Sequence, residues 1–406
     1  MDALITAAGR ALAAGDPLGA LNRIALRSDA PALALRGIAM AQLGDLDLAK
    51  ALLRRAARAF SPREHRARAR CVVAEAEIAL VSRDLGWPEE ALQRARKTLE
   101  RVGDTVNAAY ARYLSARHLL LIGRLDEAEH ALDALDLRLL PLQAQAGCEM
   151  VVAGIAMRRV EARKARAALD RAAAAARQAG IPALVSEVET AERALEAPAA
   201  RLVTSKRETL LQLDQVETLL AANTLVVDAC RHVIRSEGKL IGLESRPVLF
   251  ALARALAEAW PSDVSREVLV AKAFRGRVAD ESHRARLRVE IGRLRALLGH
   301  HARLRATDAG FVLTVPEGRD VAVLAQPVED SHADVLALLA DGEAWSSAAL
   351  ALALGVSSRT VQRALERLRE EEKVRSFGRG RACRWVVPTL PGFPTNLLLP
   401  AKITDG

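Results

Sequence analysis

Cysteine is scarce in this chain. The 4 thiols in 406 residues, Cys71, Cys148, Cys230 and Cys383, lie far apart and form no CxxC pair. That excludes a disulfide framework and a zinc ribbon and fits a reducing compartment. No apolar run is as long as a membrane span, and the apolar start carries Asp2 and Arg10 where a secretory leader needs a basic head and an unbroken core. A cytoplasmic protein with no membrane partner is expected. A GxxxxGK[ST] loop is also missing, because the stretch from Ser236 to Lys239 has no upstream glycine, so no nucleotide-driven step is implied. No carboxylate cluster or activated nucleophile stands out. The 8 histidines are scattered, and the pair His300 and His301 falls at a helix end, where capping suits it better than metal binding. Catalysis, cofactors and metals are therefore not expected. Cys71, Cys148 and Cys230 read as packing residues, while Cys383 stands among arginines, a setting that lowers a thiol pKa.

Positive charge, by contrast, is plentiful. The formal net charge is +9, which favours a polyanionic partner. The stretch ESHRARLRVEIGRLRALL, residues 281–298, concentrates it. Leu287, Ile291, Leu294 and Leu298 recur at the spacing of one buried helix face. Arg284, Arg288 and Arg295 fall together on another side, flanked by Arg286 and Arg293, with Glu290 as the one acid expected on the solvent side. Several guanidinium forks on one helix suit phosphates and base edges.

Around this helix the chain reads as a small sheet, three helices and a hairpin. Residues 224–230 and 232–243 are strand-like, with Glu237 and Gly238 at a turn. Ser245 is placed to cap a helix that starts near Pro247 and stops at Trp260-Pro261. A second helix spans Ser265 to Phe274, and a loop at 275–280 leads into the arginine helix. Two further strands flank Asp308, Ala309 and Gly310, where the glycine is expected to take a positive φ.

Residues 225–315 resemble the winged-helix output domain of response regulators of the OmpR/PhoB type and the related domain of antibiotic-pathway activators. The resemblance rests on Ile241-Gly242-Leu243, Ser265-Arg266-Glu267 with Leu269, the segment from Val289 to Arg295, and the segment from Ala306 to Phe311. It implies that the third helix enters the major groove and that the hairpin touches the neighbouring minor groove. Arg284, Arg286, Arg288, Arg293 and Arg295 are then the groove-facing candidates, with Thr307 in the wing. Glu290 and Gly292 stand where the family often has polar or basic side chains, so base preference does not transfer. No phosphorylatable receiver precedes the module, since the first half of the chain is helical.

That first half repeats a phrase: glycine, a few polar residues, then alanine. It occurs at Gly15 to Ala20, Gly44 to Ala49, Gly86 to Ala91 and Gly123 to Ala128, with a decayed copy from Val160 to Ala165. Each copy lies between two apolar helical stretches, which predicts helix hairpins. The pattern resembles tetratricopeptide repeats, whose period is about 34 residues. The resemblance implies a curved stack whose groove receives a protein or peptide partner, or a homodimer contact. Tyr110, Tyr113 and His118 read as packing residues.

Beyond Asp330 a second helical pattern appears. Ser357 is placed to cap a helix with Val361, Leu365 and Leu368 inward and with Arg359, Gln362 and Arg363 outward near its start. A hairpin from Val374 to Val387 follows, its tip carrying Arg379 and Arg381. This segment resembles DeoR-like winged helix-turn-helix repressors through the stretch from Leu354 to Leu365, although Glu370, Glu371 and Glu372 replace a customary glycine turn.

Together these readings predict a mainly α chain, a helical-hairpin solenoid followed by two small α+β winged-helix domains. The boundaries expected are a repeat domain at 1–197, a connector helix at 198–222, the first winged helix at 223–316, a linker at 317–330, the second winged helix at 331–388 and a tail at 389–406. The function implied is sequence-specific binding of double-stranded DNA in transcription regulation. The competing reading is a protein-interaction scaffold.

Overall fold

The computed structural model describes all residues except 1, 206, 244, 275–280, 328–331, 340–343, 379, 381–382 and 388–406. The expected loop at 275–280, the wing-tip arginines Arg379 and Arg381, and the tail lie outside the described residues. The described chain is mainly helical, with smaller sheets toward its C-terminal part, and no helix among the described residues is long and apolar enough to cross a membrane. It divides into two compact units: residues 1–159 with 164–193 and 334–406, and residues 194–333 with 160–163.

The first unit begins with α1 (Ala3–Ala13), α2 (Pro17–Ile24), α3 (Ala30–Gln42), α4 (Leu46–Ala59), α5 (His65–Val81) and α6 (Glu89–Arg101). It continues with α7 (Thr105–Leu121), α8 (Leu125–Asp133), α9 (Leu142–Arg159), α10 (Ala162–Ala179) and α11 (Pro182–Glu196). The repeated phrase has a physical explanation. Gly15, Gly44 and Gly123 have φ of 75°, 87° and 78°, ending a helix in the left-handed conformation that costs glycine least. After Gly15 and Gly44, Asp16 and Asp45 cap the next helix by accepting from the amides of Gly19 and Leu48 at 2.7 and 3.1 Å. The alanine that closes each of these three phrases, Ala20, Ala49 or Ala128, is fully buried, so no side chain holds the paired helices apart.

Two details depart from the expectation. Between α5 and α6 the left-handed residue is Arg83 (φ 48°) rather than Gly86, because Arg83 directly follows the last helical turn while Gly86 sits in the loop beyond it. A further copy of the phrase runs from Gly103 (φ 72°) through Asp104 to buried Ala108, and it escaped the sequence reading.

The same unit contains α16 (Ala333–Leu339), α17 (Ser347–Leu354) and α18 (Ser358–Glu370), then β10 (Arg375–Phe377) paired antiparallel with β11 (Arg384–Val386). Gly355 turns the chain at φ 65°, and the Ser357 hydroxyl accepts from the Thr360 amide at 3.2 Å, as expected of the cap. Where a glycine is customary, Glu372 itself takes φ 58°, and the Lys373 amide donates to the Leu368 carbonyl at 2.9 Å. Trp345 is 1% exposed, exchanges two backbone hydrogen bonds with Trp385, and lies under the Arg83 guanidinium at 5.4 Å.

The second unit is built on a six-stranded sheet in the order β2-β1-β9-β3-β4-β5. Its strands are β1 (Ala200–Val203), β2 (Glu208–Leu211), β3 (Thr224–Asp228), β4 (Val233–Ser236), β5 (Lys239–Gly242) and β9 (Asp320–Ala325); β3 and β9 run parallel and the other pairs antiparallel. Two expectations are corrected. The connector 198–222 is not one helix: it supplies β1 and β2 before α12 (Leu213–Ala221). The segment 317–330, expected as a linker although residues 321–324 read as a strand, supplies β9, which sits inside the sheet between β1 and β3. The reason is non-local pairing. Val323 of β9 meets both Val203 of β1 and Val227 of β3, about 100 residues and more away in the chain.

One face of the sheet packs, through Leu225, Val227 and Val323, with α13 (Pro247–Ala259), α14 (Arg266–Phe274) and α15 (Glu281–Leu298). The other face, through Val226 and Leu324, packs on Val216 of α12. A three-stranded sheet in the order β6-β8-β7 completes the unit, from β6 (Val264–Ser265), β7 (Arg303–Ala306) and β8 (Gly310–Thr314). Arg246, not Ser245, occupies the cap position of α13, with Pro247 at the first turn where its missing N–H costs nothing.

Candidate functional site

The spacing of α15 delivers the face it promised. Leu287, Ile291, Leu294 and Leu298 are each no more than 2% exposed and anchor the helix in the core. At about 100° per residue, Arg284, Arg288 and Arg295 lie along one border of this buried stripe, and Arg286 and Arg293 along the other. All five arginines are exposed. Between the two rows, at the point farthest from the core, stand Ala285, Val289, Gly292 and Ala296, which are exposed as well. The outermost ridge is thus made of small side chains with guanidinium groups on both flanks.

Glu290 is not on the solvent side as expected. It is 9% exposed and accepts from Arg293 at 2.9 Å. It lies in a cleft of about 590 Å³ lined also by Arg246, Pro247 and Leu297. Its position nearly opposite the ridge, beside the buried leucines, puts it at the edge of the packed face.

The arginines are held in different ways. Arg284 lies 3.6 Å from the Glu267 carboxylate of α14, and Arg286 stacks over the Phe274 ring at 4.7 Å. The Arg295 Nε donates to the Leu304 carbonyl at 2.9 Å, and its guanidinium lies 6.0 Å from the Phe311 ring centre, tying the helix to the β7–β8 hairpin. Arg288 is exposed between these two anchor points.

The hairpin is also fixed from below. Arg266 donates to the carbonyls of Asp308 and Thr307 at 2.7 and 3.0 Å. Thr307 donates its hydroxyl proton to Asp263 at 2.6 Å, and its hydroxyl oxygen accepts from the Gly310 amide at 2.9 Å, so this candidate contact is already employed in shaping the turn. Gly310 does not adopt the expected positive φ. Glycine is required there for a different reason: a Cβ would fall 1.8 Å from the Val264 carbonyl oxygen of β6. Two candidates escaped the sequence reading. Arg303 and Arg305 of β7 are exposed on either side of buried Leu304, and the Arg-Leu-Arg alternation was the available signal.

In the other unit, Arg359, Gln362 and Arg363 are exposed on α18, while Val361, Leu365 and Leu368 are buried. Arg359 and Arg363 are one turn apart on the helix, and Gln362 lies beside Arg363.

The chain matches no protein-family model, no curated protein and no solved structure. Among the described helices of the first unit, the carboxyl deepest in the core is that of Glu77, 2% exposed, to which Tyr110 donates at 2.6 Å. Burial pushes the Glu77 carboxyl up to about 8, outweighing the lowering effects of the Tyr110 hydrogen bond and the Arg117 charge. Tyr110 and Tyr113 are buried, in keeping with packing roles, and burial lowers the pKa of His118. Burial likewise raises the thiol pKa of Cys71, to about 12, and of Cys148, which makes both unreactive.

Proposed function

We propose that the protein is a sequence-specific DNA-binding transcription regulator. In this reading α13, α14, α15 and the β7–β8 hairpin form a winged helix, α16–α18 with β10 and β11 form a second one, and α1–α11 are a tetratricopeptide-like array that receives a partner. The observation that carries it is the cross-section of α15, a ridge of small residues bordered on both sides by arginines. A helix that enters the major groove needs a slim leading edge to approach the bases and cations on both flanks to meet the two phosphate strands. Arg303 and Arg305 on the adjacent strand extend the same positive surface. Val289 on the ridge has the apolar character that contacts a thymine methyl.

Gly292 gives a direct test, because nothing lies within 4 Å of a Cβ added there. In gel-shift titrations of the full chain with fragments of its own genome, Gly292→Leu is expected to reduce affinity at least tenfold while leaving the melting temperature unchanged or higher. Arg288→Ala is expected to cost about 1–3 kcal/mol if the contact is to a base. Full affinity in both variants would reject α15 as the groove helix. The absence of DNA affinity even at low salt would favour the scaffold reading instead.

A further inference from the structure

We propose that Glu237, His300 and His301 form a binding site for a divalent transition metal of the zinc class, between the β4–β5 turn and the turn that ends α15. The inference does not depend on DNA binding. His301 Nδ1 lies 3.3 Å and His300 Nε2 3.8 Å from the same carboxylate oxygen, Glu237 Oε2, and one donor atom from each residue falls within 4.8 Å of the others. A tetrahedral zinc ion with bonds of about 2.0–2.1 Å keeps its ligands roughly 3.4 Å apart. Both carboxylate–imidazole separations are close to the one such an ion imposes, and the two imidazole donors lie within 4.8 Å of each other, with the fourth position left to water.

An independent observation points to a ligand. The His301 side chain is 6% exposed, yet its Nδ1 is buried without a hydrogen-bond partner, close to the carboxylate oxygen but out of line with it. A ring nitrogen is seldom left this way unless something else engages it. The carboxylate is held from behind as well. Arg319, itself buried, binds Glu237 Oε1 and is fixed by Asn223 at 3.1 Å and Ser236 at 3.1 Å, leaving Oε2 directed at the histidines. Metal-ligating carboxylates typically have such an outer partner. Two imidazoles and a carboxylate select zinc, cobalt or nickel over magnesium or calcium.

Bound metal would clamp the end of α15 to the β4–β5 hairpin and so set the angle at which the arginine helix leaves the sheet. The test uses the full chain, stripped of metal and titrated with Zn²⁺ against a chromophoric chelator, with Co²⁺ as a spectroscopic probe. Wild type is expected to bind one equivalent, with a tetrahedral cobalt spectrum lacking sulfur charge transfer. His300→Ala and Glu237→Gln are expected to weaken that binding by at least about 10–100-fold, the loss typical even of outer-shell partners. His300 is 70% exposed, so its loss leaves the core intact. Unchanged affinity in both variants, or a sulfur-to-cobalt charge-transfer band, would place the metal elsewhere and overturn the proposal.

Discussion

Glu372 adopts φ 58° at the end of α18, a conformation in which its Cβ crowds the following carbonyl. Glu372→Gly is expected to stabilise the first unit by about 1 kcal/mol, because glycine pays no such cost at this position. A lower midpoint in urea would show that the glutamate side chain contributes something the backbone argument omits. Glu77 makes a second prediction at the same scale. Its folded pKa, about 8, lies above its unfolded value, so between about pH 4.5 and 8 the folded state holds the proton more tightly than the unfolded state. Stability therefore falls as pH rises through that window, by a few kcal/mol at most on linkage grounds, roughly. Glu77→Gln is expected to flatten the slope; an unchanged pH profile would mean that Glu77 titrates normally.

Among the elements, the β7–β8 hairpin depends on one close approach. Gly310→Ala would drive a methyl into the Val264 carbonyl, against backbone that has no easy way to yield. A loss of about 1–3 kcal/mol or more is expected, in the range of overpacked cores. Thermal melts comparable to wild type would mean that β6 shifts aside without cost. In α15 the useful signal was period, not composition. The leucine spacing located the buried stripe from sequence, and all five exposed arginines followed from it. The burial of Glu290 did not, because a polar residue at the border of a stripe goes in or out according to what packs beside it, here the cleft with Arg246 and Arg293. Thr307 was similarly placed in the wing from sequence, but its bond to Asp263 joins residues 44 positions apart.

For the whole molecule, the formal charge of +9 gives an expectation that separates the two functional readings. If arginines neutralise phosphates, log K falls with log salt by about 0.9 per phosphate, and Arg286→Ala is expected to reduce the slope by about one. Binding that ignores salt between low and physiological concentration would be inconsistent with a phosphate-dominated contact and would favour a protein partner. A mutation of Arg359 or Arg363 on α18 tests in the same titration whether the first unit contributes to the contact.

Local chemistry was what the sequence determined on its own. The Gly-Asp-x-x-x-Ala phrase dictates a left-handed helix end, a side-chain cap and a close helix contact within six residues, so the helix hairpins at Gly15 and Gly44 were readable from it, and the copy at Gly103, although missed, carries the same local signal. The buried stripe of α15, the cap at Ser357 and the turn at Glu237 and Gly238 are local in the same sense. Tertiary structure alone decided what depends on distant partners. The run from Val321 to Ala325 is apolar on both sides, as suits a strand covered on both faces, but only its pairing with β1 and β3 makes it part of the sheet rather than a link. Gly310 is needed because β6 passes against it, and Glu237 meets His300 and His301 because a hairpin turn and a helix end, more than 60 residues apart, are brought together by the core beneath them. Sequence spacing encodes which face of an element is buried; which element lies against that face is settled by the joint packing of the whole unit.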